Sequence, residues 1–132
     1  MYKRQIKNGI CSYQIEAAIS GLHSQAQSFH STDWEQISLL YNKLLSYKNS
    51  PIVELNKAVA DIMLKQYTVV EATLNRITEK LRQYPPLYLA KAELYLNTNR
   101  IPLAVSAYQQ ALVLSDNSIE KVYIRTKLAQ LN

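Results

Sequence analysis

Apolar residues along 86–115 fall into two stripes separated by a polar break. Tyr88, Leu89, Ala92, Tyr95 and Leu96 recur at the three-to-four spacing of one helix face. The polar run Asn97-Thr98-Asn99-Arg100 follows, and Pro102 suits the first turn of a new helix. The second stripe is Ala104, Ala107, Tyr108, Ala111 and Leu112. Its small residues let two helices approach closely. The pattern predicts a helical hairpin whose seam is centred on Tyr95 and Tyr108.

The same periodicity predicts five further helices. One runs over about 13–26 from a Ser12 cap, with the stripe Ile15, Ala18, Ile19 and Leu22. The next opens at Thr32-Asp33-Trp34-Glu35, which reads as a capping box with Thr32 as the cap and Glu35 reaching back. Asp33 adds a charge favoured at that helix end. Trp34, Ile37, Tyr41, Leu44 and Leu45 are its expected buried side, with Trp34 packing across the loop onto 13–26. A third helix starts at Ser50-Pro51, with Pro51 at the first position and Ile52, Leu55, Val59, Ile62 and Met63 as its stripe. A fourth covers about 68–83 through Val70, Leu74, Ile77 and Leu81, and Pro85-Pro86 break the chain after it. The last begins at Asn117-Ser118-Ile119-Glu120 and carries Ile119, Tyr123, Ile124, Leu128 and Leu131.

Shifting the sequence by 34 residues superimposes two of these hairpins. Leu89 falls on Leu55, Lys91 on Lys57, Ala92 on Ala58 and Leu96 on Ile62. Ala104 falls on Val70, Tyr108 on Leu74 and Ala111 on Ile77. A looser copy places Ile15, Ala18, Ile19 and Leu22 in the first helix and Ile37, Tyr41 and Leu44 in the second. Thirty-four residues is the period of the tetratricopeptide repeat, a helix–turn–helix unit. The expected fold is therefore all-α: a right-handed α-solenoid of three hairpins with a C-terminal capping helix. It is read as one domain over 1–132, with 1–10 as the remnant of a preceding helix or linker in a longer chain.

Composition agrees with an ordered helical protein. Of 132 residues 48% are apolar, with two Gly and four Pro, and no apolar run is long enough to cross a membrane. The basic N-terminus has no apolar core of the kind a secretory signal needs. The single cysteine, Cys11, cannot form an internal disulfide, which fits a reducing cytoplasm. The net charge of +5 permits contact with nucleic acid or an acidic protein face. Its densest group, Lys121, Arg125 and Lys127, reads first as a solvated helix face.

No catalytic motif is present: no phosphate-binding glycine loop, no HExxH, no CxxC and no G-x-S-x-G. His23 and His30 lack metal-ligand spacing. No enzyme activity, cofactor or metal is expected. What such a scaffold offers is binding, in a groove lined by the first helix of each hairpin. The polar candidates there are Asn56, Lys57, Lys91, Glu93 and Asn97. Asp33, Trp34, Tyr41, Pro51, Tyr95 and Tyr108 are expected to be structural. Ten tyrosines leave room for a docking face.

Several short blocks in order also carry a resemblance. They are Tyr13-Gln14-x-x-Ala17-Ala18-Ile19, His23, Thr32-Asp33-Trp34-x-Gln36-Ile37-x-x-Leu40-Tyr41 and Ser50-Pro51-x-Val53-x-Leu55-Asn56-x-Ala58-Val59-Ala60. Tyr88-x-x-x-x-Ala92-Glu93-Leu94, Ala107-Tyr108-x-x-Ala111-Leu112 and Asn117-x-x-Glu120 follow. Together they resemble the C-terminal region of bacterial extracytoplasmic-function sigma factors with a tetratricopeptide-like extension. The resemblance spans about 10–131. It implies a cytoplasmic, non-catalytic regulatory domain of a sigma factor that acts in transcription initiation through protein contacts. The expected partners are the protein's own sigma domains, RNA polymerase or a regulator. DNA would be reached only through domains absent from this chain. Lys57 keeps a basic residue usual in that family. Thr98-Asn99-Arg100 stands where the family has Leu-Gly-Arg, and Asn99 can supply the left-handed turn residue. The 66–84 hairpin is less like the family. The alternatives are a free-standing adaptor that takes a peptide or helix in its groove, and a basic accessory that contacts RNA or DNA.

Overall fold

The structure, a computed structural model, describes residues 33–131. The expected helix over 13–26 with its Ser12 cap, the segment 1–10, Cys11, His23, His30 and Thr32 lie outside the described residues. Among the described residues there are six α-helices and no strand. They are α1 (Trp34–Leu45), α2 (Pro51–Met63), α3 (Tyr67–Ile77), α4 (Pro85–Asn97), α5 (Ile101–Leu114) and α6 (Ser118–Leu131). The chain forms two compact units that divide between Leu64 and Lys65.

In the first unit α1 packs on α2. The α1 cap is Asp33, whose carboxylate accepts the Gln36 amide at 3.1 Å, and not the expected Thr32. A charged acceptor is favoured over a hydroxyl at the positive end of a helix, which sets the start one residue later. The α2 start is as read: Ser50 Oγ accepts from the amides of Ile52 and Val53, and Pro51 opens the helix. Ile37 and Leu44 are fully buried, with Trp34, Tyr41 and Leu45 packed round them. Their partners on α2 are Val53 and Ala60, outside the expected stripe. Ile52 and Val59 of that stripe are exposed, while Leu55, Ala58 and Ile62 are buried. A reading that favours large apolar residues passes over Ala60, although a small residue is what lets the α1 backbone come close.

In the second unit α4 packs closely on α5, α6 on α5, and α3 more lightly on α4. The helix expected to reach residue 83 ends at Ile77, and residues 78–83 form turns. The Thr78 hydroxyl donates to the Leu74 carbonyl at 2.6 Å, and the Leu81 amide is shared between the carbonyls of Ile77 and Thr78. Leu81 stays buried. Pro85 and Pro86 do not precede the next helix but form its first two positions, where no amide partner is needed. Tyr84 before them is extended, as a residue before proline must be.

The α4–α5 seam follows the pattern. Ala92, Ala104, Ala107, Tyr108 and Ala111 are buried, with Tyr88, Leu89, Tyr95, Leu96 and Leu112 around them. Leu87, Ala90 and Leu94 are buried as well, so α4 buries two faces. The turn between the helices is a Schellman motif: the Arg100 amide donates to the Tyr95 carbonyl at 2.8 Å and the Asn99 amide to the Leu96 carbonyl at 3.2 Å. Asn99 takes φ 59°, the left-handed conformation that the resemblance expects it to supply in place of Gly.

The turn geometry recurs 34 residues earlier. Lys65 has φ 62°. Leu64 (φ −92°, ψ 6°) matches Thr98 (φ −108°, ψ 16°), and Gln66 (φ −90°, ψ 57°) matches Arg100 (φ −110°, ψ 68°). Ala58 and Ala92, Val70 and Ala104, Leu74 and Tyr108, and Ile77 and Ala111 are buried in both copies. Only Asn99 of the two turn residues belongs to the types that tolerate this conformation readily.

At the end of the chain Asn117 caps α6 through the Glu120 amide at 2.9 Å. Glu120 does not reach back to its cap. Its carboxylate accepts from the Ser115 hydroxyl at 2.7 Å, and that hydroxyl oxygen accepts the Asn117 amide at 3.2 Å. Ile124 is buried on α5, with Leu128 and Leu131 beside it. Ile119 and Tyr123, expected on that side, are exposed together with Val122. Ile124 is therefore the centre of a narrower contact than the stripe implied.

Candidate functional site

The repeat sets two lysines at the same register, and their surroundings differ. In the tetratricopeptide pattern W-x2-L-G-x2-Y the fourth position is a packed leucine. In α4 the run Tyr88-x2-Lys91-Ala92-x2-Tyr95 has the spacing of that pattern, with Lys91 at its leucine position. In α2 the run is Glu54-x2-Lys57-Ala58-x2-Asp61, and Lys57 holds the same place.

In α2 the charge is neutralised within the unit. Lys57 Nζ lies 2.6 Å from Asp61 Oδ2, one helical turn on. Asp61 is buried, and its other oxygen accepts from Ser38 Oγ of α1 at 2.6 Å. A buried carboxylate with both oxygens bonded is a stable arrangement. It ties α1 to α2 and leaves Lys57 little to offer a ligand. Asn56 beside it is exposed.

In α4 the residue one turn on is Tyr95, which brings no charge. Lys91 lies in a niche of about 400 Å³ between α4 and α5. Tyr88 and Tyr95 flank it from α4, and Leu103, Ser106 and Gln110 line it from α5. Lys91 Nζ sits 5.6 Å from the centre of the Tyr88 ring. That ring is held in place: its hydroxyl donates to the Arg82 carbonyl at 2.7 Å. Among the described residues no carboxylate pairs with Lys91, and neither Ser106 nor Gln110 has a side-chain hydrogen bond. Desolvation lowers the Lys91 pKa below its ordinary value of 10.5.

Tyr95 also carries a cation of its own. Arg100 Cζ lies 5.0 Å from its ring centre. The same guanidinium makes a two-pronged pair with Glu71 of α3, at 2.9 and 3.1 Å, and bonds Thr98 Oγ1 at 3.0 Å. The hydrogen bond from Arg100 holds the Glu71 carboxyl below the ordinary 4.5; desolvation opposes it, and the Arg100 charge adds the least.

The remaining candidates are not in the niche. Asn97 is engaged locally: its Nδ2 donates to the Glu93 carbonyl at 2.8 Å, and its Oδ1 accepts from the Tyr67 hydroxyl at 3.4 Å. Glu93 is half-buried and lies near Tyr108. The Tyr108 hydroxyl is buried with no hydrogen-bond partner among the described residues. Tyr123 approaches it without meeting bonding geometry. Burial first, then the charge of Glu93, raises its pKa above the ordinary 10.0. Asn56 and Lys57 belong to the first unit; Lys91, Glu93 and Asn97 belong to the second.

Sequence reasoning passed over Asp61, Ser38, Ser106 and Gln110. The Lys57–Asp61 spacing of four was a legible signal. Ser106 and Gln110 gave none, because their role comes from which side of α5 meets α4. Among the described residues no group of three or more His, Cys, Asp or Glu could hold a metal, and no helix is long and apolar enough to cross a membrane.

Comparison with known proteins gives one informative likeness. An uncharacterized protein of Rhizobium meliloti (strain 1021) is 36% identical over 119 residues, which cover 90% of this chain. The matched stretch is 28% of that relative's length, so the chain spans little more than a quarter of it. No family model matches the chain. No solved structure matches it.

Proposed function

We propose that the chain is a non-catalytic protein-interaction and regulatory domain, the C-terminal part of an RNA polymerase sigma factor that works in the cytoplasm. On this reading its hairpins stack as a right-handed tetratricopeptide-like solenoid with α6 as the closing helix. It docks on its own sigma domains, on polymerase or on a regulator, and so sets how available the sigma domains are.

The observation that carries the reading is the α4–α5 hairpin. Its seam is closed by buried alanines, while its side keeps a tyrosine-flanked niche in which no carboxylate of the described residues pairs with Lys91. A hairpin that served packing alone would fill that position with leucine. The ordered sequence blocks support the sigma-factor part of the reading. So does a relative in which the matched stretch is 28% of a longer chain.

The test uses antibody raised to this chain in its own cells. The expected result is a polypeptide several times longer that co-purifies with polymerase subunits, and altered transcription once this segment is deleted from it. A band of this chain's own size, absent from polymerase fractions, contradicts the sigma-factor reading. The groove would then be that of a free-standing adaptor. Steep loss of binding with salt and a preference for nucleic acid would point to the basic accessory instead.

A further inference from the structure

We propose that the niche between α4 and α5 binds the carboxylate of an acidic side chain in a protein partner, with Lys91 as the counter-charge. The inference rests on the protein-interaction reading and names the chemistry of its docking point.

The chain shows the complement itself. At the equivalent register in α2 the lysine is satisfied by a carboxylate that also takes a serine hydroxyl, Lys57–Asp61–Ser38, with both contacts at 2.6 Å. In α4 the residue one turn on from the same lysine is Tyr95, and the serine that lines the niche, Ser106, comes from the helix that follows, whereas Ser38 belongs to the helix that precedes α2. An incoming carboxylate would meet the half-buried ammonium and, at the exposed rim of the niche, the Ser106 hydroxyl and the Gln110 amide.

The niche holds one cation. The other nearby one, Arg100, is committed to Glu71. A single positive charge suits a singly charged carboxylate. A phosphate group, with nearly two charges, calls for an arginine cluster. Partial burial strengthens the pairing relative to a fully exposed lysine, because water screens it less. Tyr88 and Tyr95 give the carboxylate's neighbours in the partner flat apolar surfaces. The matching segment is therefore a Glu or Asp next to an aromatic residue.

The test titrates the full chain with the capped peptide Ac-Gly-Glu-Phe-Glu-Gly-NH2 and with the same peptide carrying Gln for Glu, followed by NMR. The expected result is binding of the Glu peptide about tenfold tighter than the Gln peptide, the scale of one charge-assisted hydrogen bond. Shifts should be centred on Tyr88, Tyr95 and Ser106. Lys91→Leu should remove that preference, Lys91→Arg should keep it, and Lys80→Ala on the exposed 78–83 turn should change nothing. Equal binding of both peptides, or a Lys91→Leu chain that still prefers the Glu peptide, overturns the inference. If those equal shifts still fall on Tyr88 and Tyr95, the docking reading survives without it. No shift in the niche with either peptide also overturns it. Failure of the sigma-factor reading shows separately, in the antibody experiment.

Discussion

The α1–α2 pair and the α4–α5 hairpin carry the same lysine at the same register and use it in opposite ways. Lys57 is matched by a buried carboxylate, and the resulting Lys57–Asp61–Ser38 network joins two helices. Lys91 shares its niche with two tyrosines, and among the described residues no acid pairs with it. A residue type repeated by register is thus structural in one unit and available in the other. The difference lies in one neighbour, Asp61 against Tyr95. A repeat can turn a packing position into a contact position by changing the residue one helical turn away.

The largest effect should come from the neutralised side of that comparison. Asp61→Ala removes the acceptor from both Lys57 and Ser38, so urea unfolding should show a loss of about 2–3 kcal/mol. A loss below about 0.5 kcal/mol would mean the network is ornamental.

The hairpin seam comes next. Tyr108→Phe deletes a buried hydroxyl without a partner, so stability should hold or rise by up to about 1 kcal/mol. A clear fall would show that the hydroxyl is bonded, with Tyr123 the first candidate.

The paired turns sharpen the comparison at the backbone. Lys65→Gly should stabilise by about 0.5–1 kcal/mol, since lysine gains nothing from φ 62°. Asn99→Gly should change stability by only a few tenths of a kcal/mol, since asparagine accepts the conformation already. Equal effects at the two sites would break the correspondence between the turns.

The smallest effect is that of the half-exposed Glu71–Arg100 pair. Glu71 has a lowered pKa in the fold. Its contribution is therefore present above its ordinary value of 4.5 and is lost as pH falls through the folded value. Glu71→Gln should lower the urea midpoint slightly at neutral pH, and the difference from the parent chain should vanish in acid.

Much of this fold is legible in the sequence, because long stripes of regular period leave little choice. Ala104, Ala107, Tyr108 and Ala111 are buried as their spacing demands, and Asn99 takes the left-handed conformation expected of it where the resembled family has Gly. Ser50, Pro51 and Asn117 act at helix starts as read. What was not legible depends on partners rather than period. Val53 and Ala60 face α1 because small residues admit a neighbouring backbone, which no hydrophobicity count rewards. Ile119 and Tyr123 satisfy the period of α6, yet α5 is reached only through the side holding Ile124. The end of α3 at Ile77 was hidden because Thr78 turns its hydroxyl back on the helix, a choice local sequence allows but does not require. At the site, Lys57 and Lys91 were both readable as polar groups on the first helices of repeats. That only one remains unpaired could be seen once Asp61 and Tyr95 were in place.

The most direct test of that asymmetry is the urea unfolding of Lys57→Leu and Lys91→Leu side by side. Lys57→Leu leaves the buried Asp61 carboxylate without its counter-ion and should cost about 1–2 kcal/mol. Lys91→Leu replaces a partly desolvated charge with the apolar residue the repeat pattern favours, and should add about 0.5 kcal/mol. Opposite signs are the predicted result. A loss of stability in both chains would contradict the account, because it would mean that Lys91, like Lys57, already has its partner within the fold.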